Sequence, residues 1–207
     1  MQTENKNHWY DGTFYDKLIA PNQDRMFARI KELIEPNSEV IDIGCGTGRL
    51  EFFISDNCAH IKGIDLSKRN IERAVLNLKN NPRDNISFQH TGFSEYANNS
   101  PSKFDYAVLT YVIHEVPEED REKLLTSISG IAEKIIIGDY LVPRPNGFWN
   151  LLNELVEFAA GSEHYKNYKS FVANGGINYL ATKAGLKIIN ETKNQPSTSH
   201  LVVLTKQ

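Results

Sequence analysis

The chain has 207 residues, of which 40% are hydrophobic and 24% are charged, and its formal net charge is −3. This length and composition are typical of one globular domain with a sizeable core, so we expect a single domain over residues 1–207. The charges are spread without a basic block. Nucleic-acid binders need a surface that neutralises phosphates, so we expect no nucleic-acid partner.

The amino-terminal residues lack the positive start and apolar core of a secretory signal, and no apolar run is long enough to span a bilayer. The two cysteines, Cys45 and Cys58, lie outside any CxxC or Cys/His cluster. This spacing argues against a disulfide framework and against a structural zinc site. We therefore expect a cytoplasmic protein without a membrane span.

The first 35 residues are rich in aromatic side chains, and we expect residues 1–35 to form a helical cover outside the core. From residue 40, short β-branched runs alternate with longer helical stretches, which predicts a parallel sheet with helices on both faces. The predicted strands of this part are 39–43, 60–64, 86–89, 104–109 and 134–139. Ser67 is placed to cap a helix over 68–79, and acidic residues after Pro117 indicate the start of another helix.

The carboxyl-terminal part has a different pattern. Residues 143–176 carry a helical apolar face, and we expect them to form a lid-like helical insertion. Two further strands are predicted at 186–191 and 201–204, and the polar segment between them is too short for a crossover helix. These two strands should therefore pair as an antiparallel hairpin. The pattern as a whole predicts an α/β protein.

Three glycines, Gly44, Gly46 and Gly48, directly follow a buried-type strand and precede a helix. Glycine permits positive φ and has no Cβ, so the backbone can approach a cofactor closely at the carboxyl edge of the sheet. Asp65 stands at the predicted end of the second strand. Its carboxylate suits the ribose diol of an adenosine cofactor and would repel a 2′-phosphate. The alternative is structural, with the glycines forming only a tight turn and Asp65 only supporting the Ser67 cap.

The segments VIDIGCGTG (40–48) and GIDLS (63–67) resemble motifs I and II of the class I S-adenosylmethionine-dependent methyltransferases. Residues 8–16 resemble the entry segment of the small-molecule type, including those that modify quinone precursors. The resemblance implies a Rossmann-like, doubly wound, mostly parallel seven-stranded sheet with an antiparallel C-terminal strand. It also implies S-adenosylmethionine as cofactor. The cofactor-binding residues that it implies are Asp42, Gly44, Cys45, Gly46, Gly48, Asp65, Leu66, Gly92, Phe93 and Thr110. Gly92 is a departure, because the family often has an acid there.

The segment after the fourth predicted strand carries the candidate catalytic residues, His114 and Tyr111. In open α/β sheets, ligands bind beyond the carboxyl ends of the strands. Both residues are therefore expected near the reacting groups. Methyl transfer from a sulfonium is a direct displacement, so alignment supplies most of the rate. His114 could act as general base for an acceptor that arrives protonated. The alternative is that His114 caps the loop or packs against Pro117.

Aromatic residues of the two covering segments are candidates for contact with the acceptor. We expect Tyr10, Tyr15, Trp149 and Tyr165 to serve in this way, although aromatic residues at this density also simply pack. A lid of this kind would exclude water and shape a pocket for an acceptor with hydrophobic or aromatic surface.

Asp139, at the end of the fifth predicted strand, raises the possibility of a metal. Metal-dependent catechol-type methyltransferases hold magnesium with carboxylates and an asparagine near these strand ends. The acid after the fourth strand is absent here, and Tyr140 follows Asp139. We therefore expect no metal.

These features predict an enzyme that transfers the methyl group of S-adenosylmethionine to a small organic acceptor. One alternative is an NAD-dependent oxidoreductase, whose fingerprint is GxGxxG. Here Arg49 follows Gly48, and a long side chain is unsuited to the close helix packing of that motif. The other alternative is a cofactor-binding module without catalysis.

Overall fold

A computed structural model of the chain describes residues 20–99, 103–195 and 197–207. These residues fall into two compact units, which divide after Tyr106. The elements, in chain order, are α1 (Ala20–Leu33), β1 (Ser38–Ile43), α2 (Arg49–Ile54), β2 (Cys58–Asp65), α3 (Lys68–Asn80), β3 (Ile86–His90), α4 (Phe93–Asn99), β4 (Phe104–Thr110), α5 (Glu118–Ile131), β5 (Ala132–Tyr140), α6 (Phe148–Ala159), α7 (Ser162–Ala173), α8 (Gly176–Lys183), β6 (Leu186–Lys193) and β7 (Ser199–Lys206).

The strands form a seven-stranded sheet in the order β3-β2-β1-β4-β5-β7-β6. In the first unit β2 pairs in parallel with both β1 and β3. In the second unit β7 pairs antiparallel with both β5 and β6. The α/β fold with a mostly parallel seven-stranded sheet and an antiparallel C-terminal strand is therefore confirmed, and so is the predicted hairpin.

The first unit is built on β-branched strands whose side chains are buried. Val40, Ile41 and Ile61 have no exposed surface, as expected for parallel strands that are covered on both faces. Ile43 is in register with Ile64, so β1 and β2 end side by side. This register brings the glycine loop next to Asp65 at the carboxyl edge of the two strands.

The helices of the first unit follow their sequence signals. Ser67 caps α3, because its Oγ accepts a hydrogen bond of 3.3 Å from the backbone N–H of Asn70. The helix α1 buries one apolar face, which includes Met26 and Ile30. This helix lies within the predicted cover of residues 1–35, and the part of that cover before Ala20 lies outside the described residues.

The second unit has its core around β5, where Ile135, Ile136 and Ile137 are buried. The helix α5 packs Leu125 and Ile128 into the same core. Its first turn carries the three predicted acidic residues, whose negative charges interact favourably with the positive end of the helix dipole. The helices α6 and α7 occupy most of the predicted insertion 143–176.

Within the part of the chain that the structure describes, no helix has both the length and the apolar character needed to cross a membrane.

Candidate functional site

The glycine loop is held against the end of β2 by its own backbone. The N–H groups of Gly44 and Cys45 both donate to the carbonyl oxygen of Ile64, at 2.8 and 3.1 Å. Gly44 and Gly46 have φ of 82° and 55°, in the left-handed region that glycine adopts without strain. The loop is therefore a tight, preformed turn at the carboxyl edge of β1 and β2.

The glycines of this loop differ in what surrounds them. A Cβ on Gly46 would meet nothing within 4 Å, so the space beside this residue is open to a ligand. A Cβ on Gly48 would lie 2.5 Å from Cζ of Phe88, a half-buried ring. Gly48 therefore allows α2 to approach β3, whereas Gly46 leaves a cradle that a side chain would fill.

Asp65 ends β2 and binds the loop directly. Its Oδ2 accepts from the Gly46 N–H at 2.9 Å, and its Oδ1 accepts from the Ser67 N–H at 2.7 Å. Burial raises the pKa of Asp65, and these two backbone donors oppose the rise. Each carboxylate oxygen retains acceptor capacity for a hydroxyl. Asp65 can therefore both organise the loop and accept hydrogen bonds from a diol.

A buried carboxyl pair lies beneath the loop, and only one of its members was anticipated. Asp42 and Glu51 contact each other, and both are almost fully buried. Burial, together with the charge of Asp65, raises the pKa of Asp42 to about 7. Burial and the neighbouring Asp42 raise the pKa of Glu51 well above its usual range. Burial therefore favours the protonated, uncharged form of both carboxyls.

Glu51 is a residue that the sequence interpretation missed. Among the described residues, neither of its carboxyl oxygens has a hydrogen-bond donor, and the same holds for Oδ1 of Asp42. The signal was a charge inside the apolar run RLEFFI, directly after the glycines. Three carboxyls thus gather around the loop, which suits a ligand that carries positive charge and hydroxyl groups. The sulfonium, the amino group and the ribose hydroxyls of S-adenosylmethionine are suitable partners for these carboxyl oxygens.

The remaining predicted cofactor residues differ in exposure. Leu66 is 73% exposed although it follows the buried end of β2, so its side chain is free to cover a ligand. A Cβ on Gly92 would lie 3.0 Å from the Leu66 side chain. Phe93 is buried and begins α4, so its side chain belongs to the core.

Burial foremost raises the pKa of the Cys45 thiol, which leaves it unreactive. Thr110 ends β4 and belongs to the second unit.

His114 lies in the second unit within a buried cluster of ionisable groups. Its Nδ1 is 2.8 Å from Oδ1 of Asp139, and its backbone N–H donates to Oδ2 of the same residue at 3.3 Å. Burial alone would lower the pKa of His114, but the neighbouring carboxylates, Asp139 foremost, outweigh it and raise the pKa to about 9. The imidazole therefore holds a proton at neutral pH in the protein without ligands.

Tyr111 has a strained backbone and a polar contact. Its φ is 57°, which is uncommon for a residue with a side chain. The backbone N–H donates to the carbonyl of Gly138 at 2.7 Å, and the hydroxyl donates to Oγ of Ser199 at 3.1 Å. These bonds fix the turn after β4 against β5 and β7.

Two further members of the His114 cluster come from α6 and α7. Glu157 is buried, and its Oε1 accepts from the hydroxyl of Tyr140 at 2.5 Å. Its Oε2 lies 2.5 Å from Nε2 of His164 and 3.6 Å from Nε2 of His114. The sequence interpretation missed Glu157 and His164, because nothing local in α6 or α7 shows that these residues meet a loop more than 40 positions earlier.

The predicted acceptor-contacting residues are dispersed. Trp149 is 52% exposed on α6. Tyr165, on α7, stacks on Tyr168 and donates its hydroxyl to Oε1 of Glu154 at 2.8 Å. Tyr10 and Tyr15 lie outside the described residues. Contact of these side chains with an acceptor stays a prediction.

Comparison with known proteins finds similar sequences among methyltransferases. Residues 40–134 match the family described as "Methyltransferase domain". An uncharacterized protein of Rickettsia prowazekii is 33% identical over 184 residues, which cover 80% of this chain and 33% of that protein. A ubiquinone biosynthesis O-methyltransferase of Neisseria meningitidis is 23% identical, over 72% of this chain and 63% of that enzyme. The chain thus spans less than two thirds of the length of either curated relative.

Solved structures share the fold at low sequence identity. The magnesium protoporphyrin IX methyltransferase of Synechocystis with bound S-adenosylhomocysteine has a TM-score of 0.68 and 15% identity, over 95% of this chain and 89% of that one. The N-methyltransferase NodS of Bradyrhizobium japonicum, with the same ligand, also has a TM-score of 0.68, at 14% identity, over 95% of this chain and 92% of that one. The [4+2]-cyclase SpnF has a TM-score of 0.62 at 13% identity, over 88% of this chain and 80% of that one.

Proposed function

We propose that this chain is an S-adenosylmethionine-dependent methyltransferase, which transfers the methyl group of that cofactor to a small organic acceptor. The observation that carries the proposal is the preformed glycine loop bonded to Asp65, above a buried carboxyl pair without other donors among the described residues. The cofactor supplies an electrophilic methyl group on a sulfonium. The chain binds the cofactor and aligns the acceptor with its methyl group, which are the main requirements of a direct displacement.

Residues in and around the loop contact different parts of the cofactor in this proposal. Gly44 and Gly46 let the backbone approach the methionine and ribose portion, and Asp65 accepts from the ribose hydroxyls. Asp42 and Glu51 present carboxyl oxygens beneath the loop, and a cationic ligand bound above them would favour their ionised forms. Leu66 covers one face of the adenine, and the backbone of Phe93 replaces the acid that is missing at Gly92.

The acceptor that we propose is a hydroxylated aromatic compound. The curated relative from Neisseria meningitidis is named for O-methylation in ubiquinone biosynthesis. The helix α6 of this chain carries Phe148, Trp149 and Leu155 exposed, which offers apolar surface to such a compound. A lid role for residues 143–176 and acceptor contacts by Trp149 and Tyr165 belong to the same proposal.

We propose that His114 and Tyr111 serve the acceptor side of the reaction. His114 is buried and bonded to Asp139, so its first effect is to position the turn after β4. A role as general base would require the imidazole to give up the proton that the carboxylates hold on it. Proton abstraction by His114 stays a prediction, and alignment remains the main source of rate.

The experiment that tests the proposal measures transfer directly. The purified chain is incubated with methyl-labelled S-adenosylmethionine and a panel of phenols, catechols, amines and thiols, and the labelled product is separated. We expect label in a hydroxylated aromatic compound and stoichiometric S-adenosylhomocysteine. Binding of S-adenosylhomocysteine without transfer to any acceptor would favour a module without catalysis. Binding of NADH in its place would overturn the family-based assignment.

A further inference from the structure

We propose that His114, His164, Glu115 and Glu157 form a binding site for one divalent transition-metal ion of the zinc type. The four side chains come from the loop after β4 and from α6 and α7, all within the second unit. An ion held there would tie this loop to both helices. Metal binding is measured without any assay of methyl transfer, so the inference is independent of the proposed function.

The ligand atoms already surround one point. One ligand atom from each of His114, Glu115 and His164 lies within 4.8 Å of the others. Oε1 of Glu115 is 4.0 Å from Nε2 of each histidine. Oε2 of Glu157 approaches the same two nitrogens, at 3.6 Å from His114 and 2.5 Å from His164.

Three of these separations are too long for hydrogen bonds, and the fourth is a hydrogen bond between His164 and Glu157. Ligands about 2.0–2.1 Å from a tetrahedral ion are about 3.3–3.4 Å apart. Nε2 of His114 is 3.6 Å or more from both carboxylates, too far for a hydrogen bond to either. The contact between His164 and Glu157 needs to open by less than about 1 Å to reach the spacing of two ligands on one ion.

Second contacts orient two of the ligands toward this point. Nδ1 of His114 is engaged by Asp139, which leaves Nε2 facing the other ligands. Oε1 of Glu157 is engaged by the hydroxyl of Tyr140, which leaves Oε2 facing the histidines. A carboxylate on the outer nitrogen of a histidine ligand is the common arrangement in metal sites, where it fixes the ring and raises its basicity.

The donor set indicates the class of ion. Two imidazole nitrogens with carboxylate oxygens suit zinc and neighbouring first-row divalent ions, whereas magnesium and calcium prefer oxygen ligands alone. The side chain of Glu115 is 49% exposed, which gives an ion access from solvent. This proposal departs from the sequence-based expectation of no metal, which was argued from the missing acid after the fourth strand.

The test is a metal titration of the full chain after removal of metal with a chelator. Zn²⁺ binding is followed by competition calorimetry, and Co²⁺ binding by its visible ligand-field bands. We expect one ion per chain, a Co²⁺ spectrum with nitrogen ligation, and a higher melting temperature with Zn²⁺. His164→Gln should weaken Zn²⁺ binding about 100-fold or more, and Asp139→Asn should weaken it about 10–100-fold through the outer contact.

The matched control is His60→Gln. His60 is partly exposed in the first unit, 3.8 Å from the Glu39 carboxylate, so it also pairs a histidine with an acid. It should leave the affinity and the Zn²⁺-dependent rise in melting temperature unchanged. Circular dichroism of each metal-free variant separates loss of binding from loss of folding. The inference fails if the native chain binds less than one ion, if folded His164→Gln binds as tightly as the native chain, or if Mg²⁺ is preferred over Zn²⁺.

Discussion

The carboxyl pair of Asp42 and Glu51 makes stability depend on pH in a definite direction. Burial foremost raises the pKa of Asp42 from its usual 3.8 to about 7, so the folded chain retains a proton that the unfolded chain has released. Protonated Asp42 therefore makes its whole contribution to the free energy of unfolding below about pH 4. That contribution is lost as the pH rises toward 7. We expect Asp42→Asn to gain stability relative to the native chain over this range, by at most about 1.4 kcal/mol per pH unit.

Urea unfolding of both proteins at pH 5, 6, 7 and 8 measures this difference. Asp84→Asn is the control, because Asp84 is an exposed acid before β3 and should show a constant difference from the native chain. The interpretation that burial raises the pKa of Asp42 is contradicted if the stability difference between the native chain and Asp42→Asn does not change with pH.

The glycines of the loop give a second residue-scale prediction. Gly48→Ala should destabilise the fold by about 2–4 kcal/mol, because its φ is 85° and its Cβ would overlap the Phe88 ring. Gly46→Ala should cost only the backbone strain, about 1–2 kcal/mol. Calorimetry should nevertheless show weaker binding of S-adenosylhomocysteine to Gly46→Ala, because the new methyl group fills the cradle. Equal thermal stability of the two variants would contradict the assignment of Gly48 to packing and Gly46 to ligand binding.

Among the elements, α7 is anchored to α5 through one buried arginine. Arg121 is 1% exposed and donates to the carbonyl of Val116 at 2.8 Å and to the carbonyl of Asn167 at 2.6 Å. Its guanidinium also donates to Oγ of Ser170 at 3.0 Å. Loss of these donors leaves partly buried carbonyls unpaired, at up to about 1–3 kcal/mol each.

We therefore expect Arg121→Ala to lower the free energy of unfolding by about 3–5 kcal/mol. Hydrogen exchange should show the amides of α7 opening before those of β5. Lys123→Ala, an exposed change on the same helix, should have little effect on either measurement. If α7 keeps its protection in Arg121→Ala, this arginine is not the anchor.

How far the sequence predicts an element depends on how local its signal is. The strand of buried β-branched residues before Gly44, the Ser67 cap and the acids opening α5 are contiguous patterns, so the structure has them where they were expected. Element ends moved by a few residues, for instance at β5, which begins at Ala132. The helix α8 was not separately predicted, because its eight residues are too short for a clear period.

The candidate site was predictable only where the register of the strands determines it. Asp65 and the glycine loop meet because parallel strands end at one edge, and a sequence pattern can indicate that. Glu51 was missed because an acid in an apolar run reads as a helix surface residue until its burial is known. The meeting of His114 with Glu157 and His164 depends on how α6 and α7 pack, which no local periodicity encodes.

At the scale of the whole molecule, the fold is established, and the fold alone does not determine the chemistry. The solved structures with this fold include methyltransferases and a [4+2]-cyclase. The methyltransferase-domain match covers 40–134, which contains the glycine loop, Asp65 and His114. The account of function therefore depends on the loop's contacts with the nucleoside more than on the architecture. The single-domain organisation over 1–207 stays a prediction.

The most direct test of that account is calorimetric titration of S-adenosylhomocysteine into the native chain, Asp65→Ala and Asp84→Ala. We predict saturable binding at one site in the native chain, unchanged binding in Asp84→Ala, and at least about tenfold weaker binding in Asp65→Ala, since the loss of hydrogen bonds to a charged acceptor costs about 1.5–3 kcal/mol. Native affinity in a folded Asp65→Ala protein would contradict the claim that this carboxylate grips the cofactor.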